Sequence, residues 1–245
     1  TAMNNQAIVA GVGMVPFVKP GASDPYDVMA GAAVRKALAN AGLAYDAVQQ
    51  AIVGYVYGDS TSGQRALYGV GMTGIPIANV NNNCSTGATA LFLARQLVEA
   101  GAVDCILALG FEQMQPGALS EHWTDRPSPF DRFDELCDEI CPYPVPIALR
   151  YFGGAGKEYM ERYGAGPELF AQVRAKASRH AADNPLALFR KVVSAEEVLA
   201  APMIFAGLNT ADAQDKAAAI LKRVELGHRM TNRPSEMSGG QQQRV

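Results

Sequence analysis

Four short strand-like runs, nearly continuous in apolar residues at 7–12, 51–57 and 103–109, set the first constraint on this chain. They are residues 7–12, 51–57, 75–81 and 103–109, each rich in Ile, Val, Leu or Ala. A strand that faces water on one side alternates apolar with polar residues, whereas a run of successive apolar residues fits a strand buried on both faces. Helix-like stretches separate the runs. Asp24-Pro25 predicts a helix start, with Asp as cap and Pro in the first turn; Val28, Ala32 and Leu38 give that helix an apolar face, and Gly42 ends it. Residues 62–71 predict a short helix broken by glycine. Residues 86–100 predict a helix of Ala and Leu that ends at Gly101. This alternation predicts an α/β fold whose parallel or mixed sheet is covered on both sides. The small residues Ala88, Ala90 and Ala94 let the third helix pack closely on more than one side, as a helix between two sheets would.

Composition narrows the class. Of the 245 residues, 49% are hydrophobic and 18% charged, which supports a buried core and excludes disorder. A net charge of -3 gives no general basic field for nucleic acid. Cys84, Cys105, Cys137 and Cys141 are too few and too scattered for a disulfide scaffold, so a reduced, cytoplasmic setting is expected. Residues 1–15 lack the layout of a secretory leader, and the apolar stretches are too short and broken for a membrane span. The ending Gln243-Arg244-Val245 is not a peroxisomal address. Position 1 is not Met, so the coding region is expected to be open at both ends.

From residue 115 to about 150 the pattern changes. Prolines at 116, 127, 129, 142, 144 and 146, with charges between them, predict a long loop or inserted cap. Residues 154–163 and 167–182 predict two amphipathic helices, and Asn184-Pro185 a turn. Ser194-Ala195-Glu196-Glu197 is a capping box that opens a further short helix. Residues 212–224 predict a charged amphipathic helix, followed by residues 228–234 and the polar run 238–244. There is no internal repeat.

The segment with the most chemistry is Asn81-Asn82-Asn83-Cys84-Ser85-Thr86-Gly87-Ala88. A strand enters a polar turn, and a helix starts at or just after the cysteine. The first amides of a helix are unpaired and the helix dipole adds partial positive charge there, which favours a thiolate. A cysteine so placed is a better nucleophile at neutral pH. Gly87 keeps the first turn free of bulk for an extended thioester, and Ser85 and Thr86 can bond to the turn.

The stretch Val-Asn-Asn-Asn-Cys-Ser-Thr-Gly-Ala-Thr-Ala, residues 80–90, resembles the nucleophile motif of thiolases, especially the sterol-carrier or lipid-transfer type. Gly-Val-Gly-Met-Val-Pro-Phe from Gly11, Gly-Tyr-Val-Tyr-Gly-Asp-Ser-Thr-Ser-Gly-Gln-Arg from Gly54, Ala-Leu-Gly-Phe-Glu-Gln-Met from Ala108 and His-Trp-Thr-Asp-Arg from His122 are similar to the same family. The resemblance covers about residues 5–200. It implies one βαβαβαββ half of an αβαβα layered fold, with a loop and helical insert over 115–200. It implies Cys84 as the residue that takes an acyl group from acyl-CoA, with no permanently bound cofactor, acyl-CoA as substrate and a homodimer at full length. The family's activating histidine, second catalytic residue and much of its oxyanion hole lie in a C-terminal half, so the chain is expected to be an incomplete fragment without turnover. A carrier of lipid or acyl-CoA without condensing activity is the alternative.

The last part fits a different family. Residues 233–245, Arg-Pro-Ser-Glu-Met-Ser-Gly-Gly-Gln-Gln-Gln-Arg-Val, resemble the signature segment of ABC transporter ATPases, where Ser238, Gly239, Gly240 and Gln241 would match the residues that close over nucleotide. The usual leucine before that serine is Met237. The expected division is a thiolase-like domain at 1–200 and an unrelated helical tail at 201–245, joined by fusion or assembly. The ATPase reading does not extend to the whole chain: Gly153-Gly154-Ala155-Gly156-Lys157-Glu158 has Tyr151 where a phosphate loop begins and Glu158 where magnesium needs a hydroxyl.

Other candidates are weaker. Gly11-Val12-Gly13 starts like a dinucleotide turn, but Pro16 replaces the third glycine. Cys137 and Cys141 lack a second ligand pair, so no metal site is expected. Glu112 either faces the cleft or serves the structure. His180 is a surface histidine or lies near the coenzyme entrance. His122 and Trp123 are expected to pack the insert on the core.

Overall fold

The run at 51–57 supplies the central strand of a three-stranded parallel sheet. β1 (Gln50–Gly54) pairs with β2 (Ile77–Val80) on one side and β3 (Ile106–Gly110) on the other, in the order β2-β1-β3. The structure, a computed structural model, describes residues 6–116, 123, 125–140, 147–205, 211, 212, 215, 216, 218 and 219. The register sets Gly54 level with Val80 and with Gly110, so all three strands end at one edge.

Successive residues of β1 serve two cores, which is why the run does not alternate with polar residues. Ala51 and Val53 join Leu109, Val34, Ala66 and Leu67 beneath α1 (Tyr26–Ala41) and α2 (Ser62–Tyr68). Ile52 faces the other way, onto Ala90 and Ala94 of α3 (Thr86–Glu99). Each fully buried Val or Leu here adds about 2 kcal/mol. The predicted order of strands and helices from residue 50 to 110 is therefore the observed one.

Two expectations for the first fifty residues need correction. Residues 7–12 form no strand: Ile8, Val9 and Val12 are 83%, 72% and 67% exposed. The segment lies along α1 instead. The Val12 amide donates to Asn40 Oδ1 at 3.0 Å, Lys36 Nζ donates to the Met14 carbonyl at 3.1 Å, and a Cβ on Gly11 or Gly13 would strike the helix backbone. An extended chain on a helix satisfies its polar groups locally and carries the same apolar lettering as a strand. At the start of α1, Asp24 is not the cap. Pro25 holds that position with φ -51° and ψ 144°, which leaves Asp24 one residue too far from the first turn. The Tyr26 amide donates instead to Gln113 Oε1 at 2.9 Å, from just beyond β3. Gly42 closes the helix as expected, in the left-handed conformation.

The chain divides into two compact units, Thr1–Ala118 and Leu119–Val245. Among its described residues the second is helical: α4 (Asp131–Ile140), α5 (Ile147–Tyr163), α6 (Pro167–Ala182) and α7 (Ala195–Phe205). The expected loop around 115–150 thus contains a helix, and α5 begins seven residues earlier than predicted. In α4 the apolar residues Phe133, Leu136 and Cys137 recur at helical spacing between the prolines. Phe130, Phe133 and Tyr151 cluster with ring centroids 5.9–6.5 Å apart, and the Tyr151 hydroxyl donates to Asp134. Burial and that hydrogen bond push the Tyr151 phenol well above its usual range. α6 and α7 bury small residues, Ala171, Ala175, Ala195 and Ala200. The capping box forms as predicted: the Glu197 amide donates to Ser194 Oγ at 3.2 Å and the Ser194 amide to Glu197 Oε2 at 2.7 Å.

Candidate active site

β2 ends at Val80 and α3 starts at Thr86, so residues 81–85 must reverse the chain in five steps. Asn83 does so with φ +47°, a left-handed conformation that Asn tolerates better than most residues. The turn is held by its own polar groups. Asn81 Oδ1 accepts from the Asn83 amide at 3.1 Å, and the Asn82 amide donates to Thr86 Oγ1 at 3.0 Å. Asn82 Nδ2 donates to Thr89 Oγ1 at 3.0 Å and Ser85 Oγ to the Asn82 carbonyl at 2.8 Å. The Thr86 hydroxyl donates to the Asn83 carbonyl.

Cys84 sits in the middle of this network and is exposed. Its Sγ lies 3.7 Å from Asn83 Oδ1, which can accept the thiol proton. In the first turn of α3 the amides of Gly87 and Ala88 have no acceptor among the described residues. These donors, with the dipole of a 14-residue helix behind them, are suited to a thiolate or an oxyanion beside Cys84.

Small residues bring this turn onto the sheet. A Cβ at Gly54 would lie 2.6 Å from both Cγ2 and the carbonyl oxygen of Thr86, and a Cβ at Gly110 3.2 Å from the Gly87 Cα. The first turn of α3 therefore rests directly on the ends of β1 and β3. Cys84 stands at the carboxyl edge of a parallel sheet, where α/β proteins bind their ligands.

Glu112 follows β3 at the same edge. Its two carboxylate oxygens accept from the amides of Val56 and Tyr57, at 3.0 and 2.9 Å. Of its two expected roles, the geometry gives it the structural one: it clamps the segment after β1 to the segment after β3. The clamped Tyr57 has its phenol raised above the usual range by burial, then by the Glu112 carboxylate, then by Cys84. Tyr57 and Gln113 lie in segments that carry the resemblance, but their partners are far away in the chain.

The remaining candidates belong to the second unit. His180 is exposed on α6. Trp123 is 64% exposed, and the Arg126 guanidinium stacks on it at 4.5 Å. Residues 153–157 lie inside α5 and form no phosphate loop. Among the described residues no three His, Cys, Asp or Glu side chains come together as metal ligands, and no helix is long and apolar enough to cross a membrane. His122, Cys141, Ser238, Gly239, Gly240 and Gln241 lie outside the described residues, as does most of the predicted helix at 212–224.

The family model for the thiolase N-terminal domain matches residues 7–199. The chain belongs to the thiolase family. Sterol carrier protein 2 of Gallus gallus is 50% identical to it over 206 residues, which cover 83% of this chain and 38% of that protein. Benzoylsuccinyl-CoA thiolase subunit BbsB of Thauera aromatica is 29% identical over 199 residues, 80% of this chain and 49% of the relative. The thiolase-family chain thus spans less than half the length of these relatives. An Ltp2–ChsH2 aldolase shares its fold, with a TM-score of 0.59 at 20% identity over 78% of this chain and 48% of that one. A stretch of 52 residues, 21% of this chain and 8% of the other, is 48% identical to the macrolide export ATP-binding/permease protein MacB of Brucella melitensis biotype 1.

Proposed function

We propose that this chain carries the acyl-accepting half of a thiolase-type acyltransferase, with Cys84 as the nucleophile. The observation that carries the reading is the exposed Cys84 at the start of α3, on the carboxyl edge of the sheet. The Cys84 thiolate attacks the carbonyl carbon of an acyl-CoA. The bond from that carbon to the coenzyme sulfur breaks, coenzyme A leaves as a thiolate and takes a proton, and the acyl group remains on Sγ. The free amides of Gly87 and Ala88 offset negative charge during attack. No permanently bound cofactor is needed. A homodimer of the full-length protein and a place in intracellular acyl-CoA metabolism belong to the same reading.

Incubation with acetyl-CoA followed by intact-mass spectrometry tests it. The expected result is one added acetyl group, located on Cys84, sensitive to hydroxylamine and absent in Cys84→Ser. Little turnover is expected, because the resemblance assigns the activating histidine to a C-terminal half. The name of the Gallus gallus relative favours a second reading, a carrier of lipid or acyl-CoA. Saturable binding of acyl-CoA without any covalent adduct would replace the first reading with the second.

The match to MacB supports a separate proposal, that residues 201–245 are an ABC-type signature fragment joined to a thiolase domain at 1–200, with Ser238, Gly239, Gly240 and Gln241 as a vestigial nucleotide signature. A sequencing read of the source DNA across codons 190–215 is expected to retain the junction. A read that runs on into a thiolase C-terminal half would make the tail an assembly error.

A further inference from the structure

The chain between α6 and α7 is pinned at two points and bare between them. Asn184 forms the first pin: its carbonyl accepts from the Ala187 amide at 3.1 Å and its Oδ1 from the Leu186 amide at 3.0 Å. The second pin is buried Ser178, whose Oγ accepts from the Val193 amide at 3.0 Å. Residues 188–192, Leu-Phe-Arg-Lys-Val, make no hydrogen bond with a described residue. All five are exposed, and Phe189 and Val192 are 64% and 50% accessible.

The same stretch of sequence is rich in cations. Over residues 170–192 there are five Lys or Arg and a single acid, Asp183, in a chain whose net charge is -3. Arg179, Arg190 and Lys191 take part in none of the ion pairs among the described residues. Exposed apolar side chains next to unpaired cations are poorly served by water. At a lipid surface the apolar groups enter the boundary between headgroups and acyl chains, while the cations remain level with the phosphates.

We propose that residues 188–192, with Arg179 at the end of α6, form a docking surface for an anionic lipid membrane. The pinned ends present the segment without a large ordering cost on binding. This proposal stands apart from the chemistry at Cys84 and holds whether or not that residue is acylated.

Vesicle flotation of the full chain tests it, with phosphatidylcholine alone and with equal parts of phosphatidylcholine and phosphatidylserine. Binding is expected only to the mixed vesicles, and weaker as salt is raised. Arg190→Gln with Lys191→Gln is expected to weaken it about thirtyfold, at roughly fivefold per cation. In a Trp123→Phe background, Phe189→Trp is expected to shift its emission to the blue on mixed vesicles and not on neutral ones. Equal binding to both vesicle types would overturn the proposal. So would unchanged binding by the double variant with a native circular dichroism spectrum. Displacement by inorganic phosphate or by an RNA oligonucleotide would assign the patch to a small anion or to nucleic acid instead.

Discussion

The two units of this chain hold themselves together over different distances along the sequence. In the first, β1 pairs with strands that begin 27 and 56 residues after it, Gln50 standing opposite Ile106 and Ala51 opposite Ile77 one step along; the helix that follows Cys84 is seated by Gly54 of β1 and Gly110 of β3. In the second, α6 and α7 are successive helices, closed by a capping box and by Ser178 reaching fifteen residues ahead to Val193. The first design sets the turn that holds Cys84 against the sheet edge, and it needs long loop closures. The second is local, and among the described residues both units leave large apolar side chains exposed.

The largest effect that would sharpen this contrast comes from Gly54→Val. The new side chain has no room beside Thr86, and we expect a loss of about 3 kcal/mol. Hydrogen exchange read by mass spectrometry should show lost protection across β1, β3 and the start of α3, with α6 and α7 unchanged. Equal loss in all of them would mean that the units unfold as one, and the contrast would break. A smaller effect is expected from Ser194→Ala, about 1 kcal/mol from the lost cap. It should loosen exchange in the first turn of α7 and leave the amides of β1 alone.

The same difference explains what could be read from the letters. The central strand was legible because burial on both faces leaves an uninterrupted apolar run. Residues 7–12 carry the same lettering, yet Gly11 and Gly13 lie against α1, and no local pattern separates a strand from an extended segment on a helix. α4 was hidden by the prolines on both sides, although Phe133, Leu136 and Cys137 keep its period. At the site, the strand, turn and helix around Cys84 are contiguous and could be read directly. Tyr57 and Gln113 could not, since Tyr57 meets Glu112 across 55 residues and Gln113 caps Tyr26 across 87. Only folding makes those residues neighbours.

The strand order has a consequence during synthesis. The central strand β1 is made before either of its neighbours, and β3 follows it by some fifty residues. At ordinary rates of translation that interval lasts about 3–10 s. β2 arrives less than half-way through it and can close one edge of β1, so the edge that receives β3 stays open for the whole interval and the nascent sheet waits half-paired.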